Sequence, residues 1–343
     1  MSLAVFQSVT VHAPARLHMG FLDLNGGLGR RFGSLGLALD ELAARVTVSP
    51  AEGVYAEGPQ AERAADYGRR ALAALGFGSG DITSGARTGA HSGAHIRVEQ
   101  AIPDHAGLGS GTQLALAVGT ALARLHDIDW PARDIARALG RGGRSGIGLG
   151  LFGQGGFLVD GGRRGDQDEP PTAIVRMEFP AAWRLLLVFD HGFKGLHGAQ
   201  EKQAFADLPR FSEERAGQLC RLALMGALPA LAEQDIQGFG AAVSGIQDLV
   251  GDHFAPAQGG RYASPRVSRA LAWLREHGAA GIGQSSWGPT GFALADSEVA
   301  AHGLARAARV ELADAGLEFM VCAARNRGAD ITGEMRSLRA AAG

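Results

Sequence analysis

Lysine is nearly missing from this chain. Of 33 basic residues, only Lys194 and Lys202 are lysine; the rest are arginine. No charge of one sign dominates either. The formal net charge is −2, which gives no general attraction to nucleic acid or to an anionic membrane. The two cysteines, Cys220 and Cys322, cannot build a disulfide framework or a zinc site alone, and both read as buried thiols. Long apolar runs are lacking. Residues 114–125 are too short to span a bilayer, and residues 172–189 are broken by Arg176, Glu178 and Arg184. The first eleven residues have no basic start and no cleavage pattern, so a soluble cytoplasmic protein is expected. Three nucleotide and nucleophile motifs are absent as well: the G-x-x-x-x-G-K-[ST] loop, the G-x-S-x-G elbow, and a dinucleotide fingerprint with its distant acidic residue.

Glycine is what the chain has in excess. It supplies 52 of 343 residues, roughly twice the usual share. Hydrophobic content is 46% and charged content 20%, so the chain is globular and long enough for two cored domains. The surplus glycine therefore reads as many close backbone approaches.

The most informative stretch is Pro103-Asp104-His105-Ala106-Gly107-Leu108-Gly109-Ser110-Gly111-Thr112-Gln113. It follows an expected strand at 95–100 and leads into an apolar helix at 114–125. A glycine-rich turn from strand into helix aims several N–H groups at one spot, at the positive end of the helix dipole. That is an anion site, usually for phosphate. Gly107, Gly109 and Gly111 let the backbone approach; Ser110 and Thr112 add hydroxyls. The plain alternative is a tight turn with an N-cap serine.

Two further segments mix glycine with arginine. Residues 25–36 carry Arg30 and Arg31, and residues 140–150 carry Arg141 and Arg144. Each reads as a loop, either solvated or clamping an anion. His91 and His95 read as solvated loop histidines. Strands are expected at 5–13, 17–24, 44–48, 155–160, 173–179, 184–190, 278–284, 291–295 and 318–323. Helices are expected at 61–75, 131–139, 212–228, 233–250, 265–277 and 297–315. Strands and helices interleave with hairpin-like spacing in places, which favours α+β over a doubly wound sheet. The domains divide near Pro180, into 1–180 and 181–343.

Three pieces together resemble the GHMP kinase superfamily: Ala13-Pro14-Ala15-Arg16, the P-x-x-x-G-L-G-S loop 103–110, and the late loop 283–291. The resemblance implies a two-domain α+β fold. Its N-terminal domain is like ribosomal protein S5 domain 2, its C-terminal domain is ferredoxin-like, and the signature loop wraps phosphates. The sequence is closer still to one branch, the beta-ribofuranosylaminobenzene 5′-phosphate synthases. The strings that carry this are Arg16-Leu17-His18-Met19-Gly20-Phe21-Leu22-Asp23, the 26–40 segment, Gly107-Leu108-Gly109-Ser110-Gly111-Thr112-Gln113, Arg144-Ser145-Gly146-Ile147-Gly148, Gly283-Gln284-Ser285-Ser286-Trp287-Gly288-Pro289-Thr290-Gly291, and Ala324-Arg325-Asn326-Arg327-Gly328-Ala329. One departure from the kinases is informative. Many of them carry a catalytic Asp in a Ser-Gly-x-Asp context, and here Gly148 stands in its place. Glycine cannot act as a base.

The branch resemblance implies that phosphoribosyl pyrophosphate and 4-aminobenzoate (or 4-hydroxybenzoate) give a C-riboside 5′-phosphate, CO2 and pyrophosphate, in tetrahydromethanopterin-type cofactor biosynthesis. It implies Mg²⁺, no organic cofactor, no nucleic acid or membrane partner, and a homodimer. The expected roles follow from it. Gly107, Leu108, Gly109, Ser110, Gly111 and Thr112 bind pyrophosphate, with Ser110 and Asp23 as metal ligands. Arg30 and Arg31, or Arg141 and Arg144, hold the 5′-phosphate. Arg16 and His18 orient the benzoate carboxylate, with Asp23 as an electrostatic partner. Ser285, Ser286 and Trp287 line the other side, Trp287 stacking on the ring. Asp190, Lys194, His197 and Glu201 are secondary candidates. The alternatives are an ATP-dependent small-molecule kinase, with Asp160 or Asp190 as replacement base, and a catalytically inactive ligand-binding regulator.

Overall fold

The computed structural model describes residues 6–77, 93–165, 169–193, 208–313 and 316–335. Lys194, His197, Glu201 and His91 lie outside them. The chain folds into two antiparallel-rich sheets flanked by helices, an α+β arrangement.

The first sheet is built on two long strands, β1 (Phe6–Asp23) and β2 (Arg30–Ala51), paired antiparallel from Val9–Val48 to Asp23–Phe32. The sequence suggests two strands split around Pro14. The structure makes one strand instead, with register shifts between Pro14 and Arg16 and between His18 and Gly20. A bulge is where a strand tolerates proline, because the missing N–H is not needed there. Residues 30–36 are likewise strand and not loop. Gly36 allows it: a Cβ there would overlap the Ile147 side chain. Strand β3 (Val54–Glu57), helix α1 (Ala61–Ala74) and strand β4 (Gly93–Gln100) follow, and β4 pairs with both β2 and β3.

Helix α2 (Ser110–Leu125) is buried along nearly its whole length against β1 and β2. Helix α3 (Ala132–Ala138) comes next. The expected 140–150 loop ends early, because helix α4 (Ile147–Gln154) starts inside it. Strands β5 (Phe157–Asp160), β6 (Arg163–Arg164) and β7 (Ala173–Met177) complete this side of the sheet.

The second sheet has the order β11–β8–β10–β9, all antiparallel. Its strands are β8 (Arg184–Asp190), β9 (Gly281–Gln284), β10 (Gly291–Ala295) and β11 (Leu317–Ala323). Helices α5 (Glu213–Leu222) and α6 (Leu228–Ala232) are joined by a π turn, and α7 (Ile236–Gln258) lies between the sheets, touching β1 and β9. Helices α8 (Pro265–Glu276) and α9 (Glu298–Leu312) cover the second sheet. The chain then crosses back: β12 (Asp330–Met335) pairs with β1 in the first sheet. Cys322 is buried as expected, but Cys220 is exposed. Helix α5 buries Ala216 and Leu219, which leaves Cys220 at the rim of its apolar stripe.

Candidate active site

The glycine-rich turn is held from three sides. From β1, the Arg16 amide donates to Leu108 O at 3.0 Å and its Nη1 donates to Gly107 O at 2.7 Å. The Arg16 side chain lies where a Cβ on Gly109 would be, 2.6 Å from Arg16 Cγ. From the second sheet, Ser285 Oγ donates to the same Gly107 O at 2.8 Å and accepts from the His18 amide at 3.0 Å. Gly107 and Gly288 meet backbone to backbone. Gly107 and Gly109 have φ of 77° and 81°, the left-handed region that favours glycine. Gly109 caps α2, whose first turn contains no acidic residue. The helix therefore offers its open amides and Ser110 to whatever occupies the turn.

The third side is the 140–150 segment. The Arg141 guanidinium covers Gly111, with Nη2 2.5 Å from where a Cβ would stand. Arg144 acts electrostatically on His18. Gly148, where the kinase resemblance expects a carboxylate, packs toward the Thr112 methyl, which lies 3.1 Å from where a Cβ would stand. The Gly148 carbonyl accepts from Gln113 Nε2 at 2.8 Å. The structure thus gathers Arg16, His18, Gly107–Thr112, Arg141, Arg144 and Ser285 around one turn.

His18 is 2% exposed and its Nε2 has no hydrogen-bond partner. Burial, then the charges of Arg16 and Arg144, push its pKa well below 6.5, so the imidazole is neutral. It lines a slot with Phe21, Phe254, Ser286 and Trp287. Phe254 and Trp287 pack at 4.5 Å, and His18 and Phe21 at 4.6 Å.

Other expected site residues fall elsewhere. Arg30 donates from Nε to Gly161 O at 2.7 Å and from Nη2 to Gly162 O at 3.0 Å, fastening the β5–β6 turn. Arg31 lies over Phe32 and lines a separate cavity of about 330 Å³ with Arg210 and His253. Asp23 Oδ1 accepts from the Asn25 and Gly26 amides at 2.7 and 2.9 Å, closing the β1–β2 turn. It stands seven residues beyond Arg16 on β1, roughly 20 Å along the strand. Asp23 and Ser110 are not brought together. Asp190 accepts from Ser264 Oγ and the Gly192 amide. Asp160 accepts from Ser145 Oγ and the Gly146 and Gly162 amides. It is fully buried, and desolvation raises its pKa. Both acids hold backbone turns.

One residue outside the expected site residues stands at the turn. Asp104 Oδ1 accepts from Ser110 Oγ at 3.1 Å and pairs with Arg63 at 2.6 Å. Among the described residues no three His, Cys, Asp or Glu side chains converge on a metal position. Mg²⁺ needs less, because it binds through one or two protein oxygens plus substrate phosphates. A carboxylate beside the anion cradle is the donor set such an ion would bridge, so Ser110 with Asp104 fits Mg²⁺, whereas Ser110 with Asp23 does not. The one hint in the sequence is the acid directly after Pro103.

Comparison with known proteins identifies the fold and the family. The GHMP kinases N terminal domain profile matches residues 70–154 and the GHMP kinases C terminal profile matches residues 227–313. The fold is similar to homoserine kinase from Cytophaga hutchinsonii, with a TM-score of 0.65 at 20% identity over 97% of this chain and 99% of that one. It is similar also to mevalonate diphosphate decarboxylase from Staphylococcus aureus, with a TM-score of 0.63 at 14% identity over 96% and 98%. In sequence, the beta-ribofuranosylphenol 5′-phosphate synthase of Archaeoglobus fulgidus is 34% identical over 94% of this chain and 98% of its own length. That of Methanothermobacter thermautotrophicus is 32% identical over 93% and 97%. No helix among the described residues is long and apolar enough to cross a membrane. The chain is an enzyme of the GHMP kinase superfamily and belongs, within it, to the family of beta-ribofuranosylphenol 5′-phosphate synthases.

Proposed function

We propose that this enzyme condenses phosphoribosyl pyrophosphate with 4-hydroxybenzoate or 4-aminobenzoate, releasing CO2 and pyrophosphate, as a step in making a tetrahydromethanopterin-type cofactor. One observation carries the reading. The turn is ringed by Arg16, Arg141 and Arg144, yet Gly148 stands where the kinase resemblance expects a carboxylate; Asp160 is taken up by Ser145 Oγ and the Gly146 and Gly162 amides, and Asp190 by Ser264 Oγ and the Gly192 amide. Asp104, the carboxylate at the turn, is paired with Arg63 and Ser110, so the site suits a phosphorylated substrate and, among the described residues, keeps no unpaired carboxylate at the turn for activating a hydroxyl. The name of the relatives, with phenol as the aglycone, supports the hydroxybenzoate arm.

The chemistry asks for two things. Pyrophosphate must leave with its bonding pair, and ribose C1 must be met by the ring carbon that bears the carboxylate. The amides at the start of α2, Ser110, Thr112 and Arg141 receive the leaving charge, which fixed dipoles stabilise without reorganising. Ser110 and Asp104 would hold Mg²⁺, which would supply further counter-charge to the leaving pyrophosphate. Arg144 takes the 5′-phosphate, Arg16 braces the turn through Gly107 O, and His18 orients the benzoate. The ring π pair forms the bond to C1, and the pair of the carboxylate C–C bond returns to the ring as CO2 departs.

Carboxyl-labelled release tests this directly. Protein, Mg²⁺, phosphoribosyl pyrophosphate and either benzoate should give CO2 and pyrophosphate in equal amounts. Silence with both benzoates, together with ADP formed from ATP and an alcohol, would replace the synthase with a kinase.

A further inference from the structure

The slot beside His18 has an aromatic lining and an unanswered polar atom. Phe21, Phe254 and Trp287 form its walls, Gln258 and Arg261 stand among its lining residues, and His18 Nε2 is buried there without a partner. A buried polar atom left unpaired costs free energy unless something else meets it. A flat ring carrying a hydrogen-bond acceptor is the ligand that satisfies both features.

We propose that this slot is the ring-binding site, that the ring enters with its carboxylate toward His18, and that His18 holds the carboxylate through Nε2–H. The inference rests on the synthase reading above. Orientation follows from connectivity. The His18 amide, Ser285 Oγ and Gly107 O form one hydrogen-bonded chain, so the His18 side adjoins the turn that holds pyrophosphate. The carbon that attacks C1 bears the carboxylate, and it must face that turn.

The uncharged state has a purpose in the reaction. When CO2 leaves, the C–C pair must return from the carboxylate carbon to the ring. A cation fixed on the carboxylate would hold that charge in place. A neutral donor positions the group and lets the charge go, and dry aromatic walls favour neutral CO2 over the anion. The charged groups acting on His18 are Arg16 and Arg144, both cationic, and they oppose its protonation.

The slot now encloses about 20 Å³, room for roughly one water. A ring enters only when Phe254 and Trp287 part, so Trp287 emission should report binding.

The test is equilibrium binding of 4-hydroxybenzoate and of phenol, with Mg²⁺ and pyrophosphate present, followed by fluorescence and calorimetry. Wild type, His18→Gln and His18→Ala are compared from pH 6 to pH 8. Wild type should bind 4-hydroxybenzoate with a change in tryptophan emission and an affinity flat across that range. His18→Ala should weaken 4-hydroxybenzoate by about 10-fold and phenol by less than about 2-fold, with His18→Gln recovering most of the loss through its amide N–H. Should His18→Ala fail to fold, the glutamine variant and the wild-type pH series decide. Equal weakening of both ligands, or an affinity that climbs tenfold from pH 8 to pH 6, overturns the proposal. A wild type that binds as described but releases no CO2 with phosphoribosyl pyrophosphate overturns the reaction and leaves the slot standing. Release of CO2 with no carboxylate-selective loss in the variants overturns the slot alone.

Discussion

Residues 25–36 and 140–150 have almost the same composition, glycines with a pair of arginines, and the structure uses them in opposite ways. In the first, Arg30 is spent on the Gly161 and Gly162 carbonyls and Arg31 faces a separate cavity. In the second, Arg141 covers Gly111 and Arg144 bears on His18. Composition marks a segment that approaches other backbone closely. What it approaches is set by the neighbour: β6 and the β1–β2 turn for one, the start of α2 for the other.

The largest expected effect is on the cradle both segments could have served. Gly107→Ala forces a side chain into the left-handed region and against the Gly288 backbone, whose Cα lies 3.1 Å from that Cβ position. It should lower activity by more than about 100-fold, since donors displaced from a leaving anion cost that much. A melting curve run beside the release assay separates this from unfolding. Next, Arg144→Ala should raise KM for phosphoribosyl pyrophosphate by about 10-fold or more, the scale of one charge-assisted contact. Arg31→Ala should move it by less than about 2-fold. The reverse ranking, read from initial rates, would transfer the 5′-phosphate to the Arg31 cavity and break the comparison.

Asp104→Asn sharpens the same contrast from the metal side. It should raise the Mg²⁺ concentration at half-maximal pyrophosphate binding by about 10-fold, measured calorimetrically, while Asp23→Asn should leave it in place. The smallest effect concerns stability. His18 is neutral when folded but titrates at 6.5 when unfolded, so below 6.5 the unfolded chain binds the extra proton and stability falls as pH falls. His18→Gln should remove about 1 kcal/mol of that loss over the first pH unit below 6.5. Paired denaturant titrations check it, because His12 and His253, also lowered mainly by burial, remain in both proteins.

Much of the cradle is legible in the sequence alone. Strand, glycine turn and apolar helix follow one another over 93–125, and each local preference agrees with the fold. The long strands are not. A proline and several glycines look like breaks in a linear reading, yet bulges absorb Pro14, and Gly36 merely makes room for Ile147. Asp104 escapes a linear reading because its meaning depends on Ser110 folding back to it. The slot is half visible: His18 and Trp287 lie in recognisable strings, but Phe254 and Gln258 come from a helix whose apolar face gives no sign of which rings it will meet.

The return of β12 to β1 has a mechanical consequence. The four-stranded sheet is strung between two crossings, one leaving the first sheet after β7 and one re-joining it after β11. Asn326 ties these crossings together, its amide donating to Phe179 O at 2.9 Å and its Oδ1 accepting from the Phe179 N–H at 2.8 Å. The entry and the exit of the second sheet are thereby fastened to each other, so its two connections to the first sheet act as one attachment.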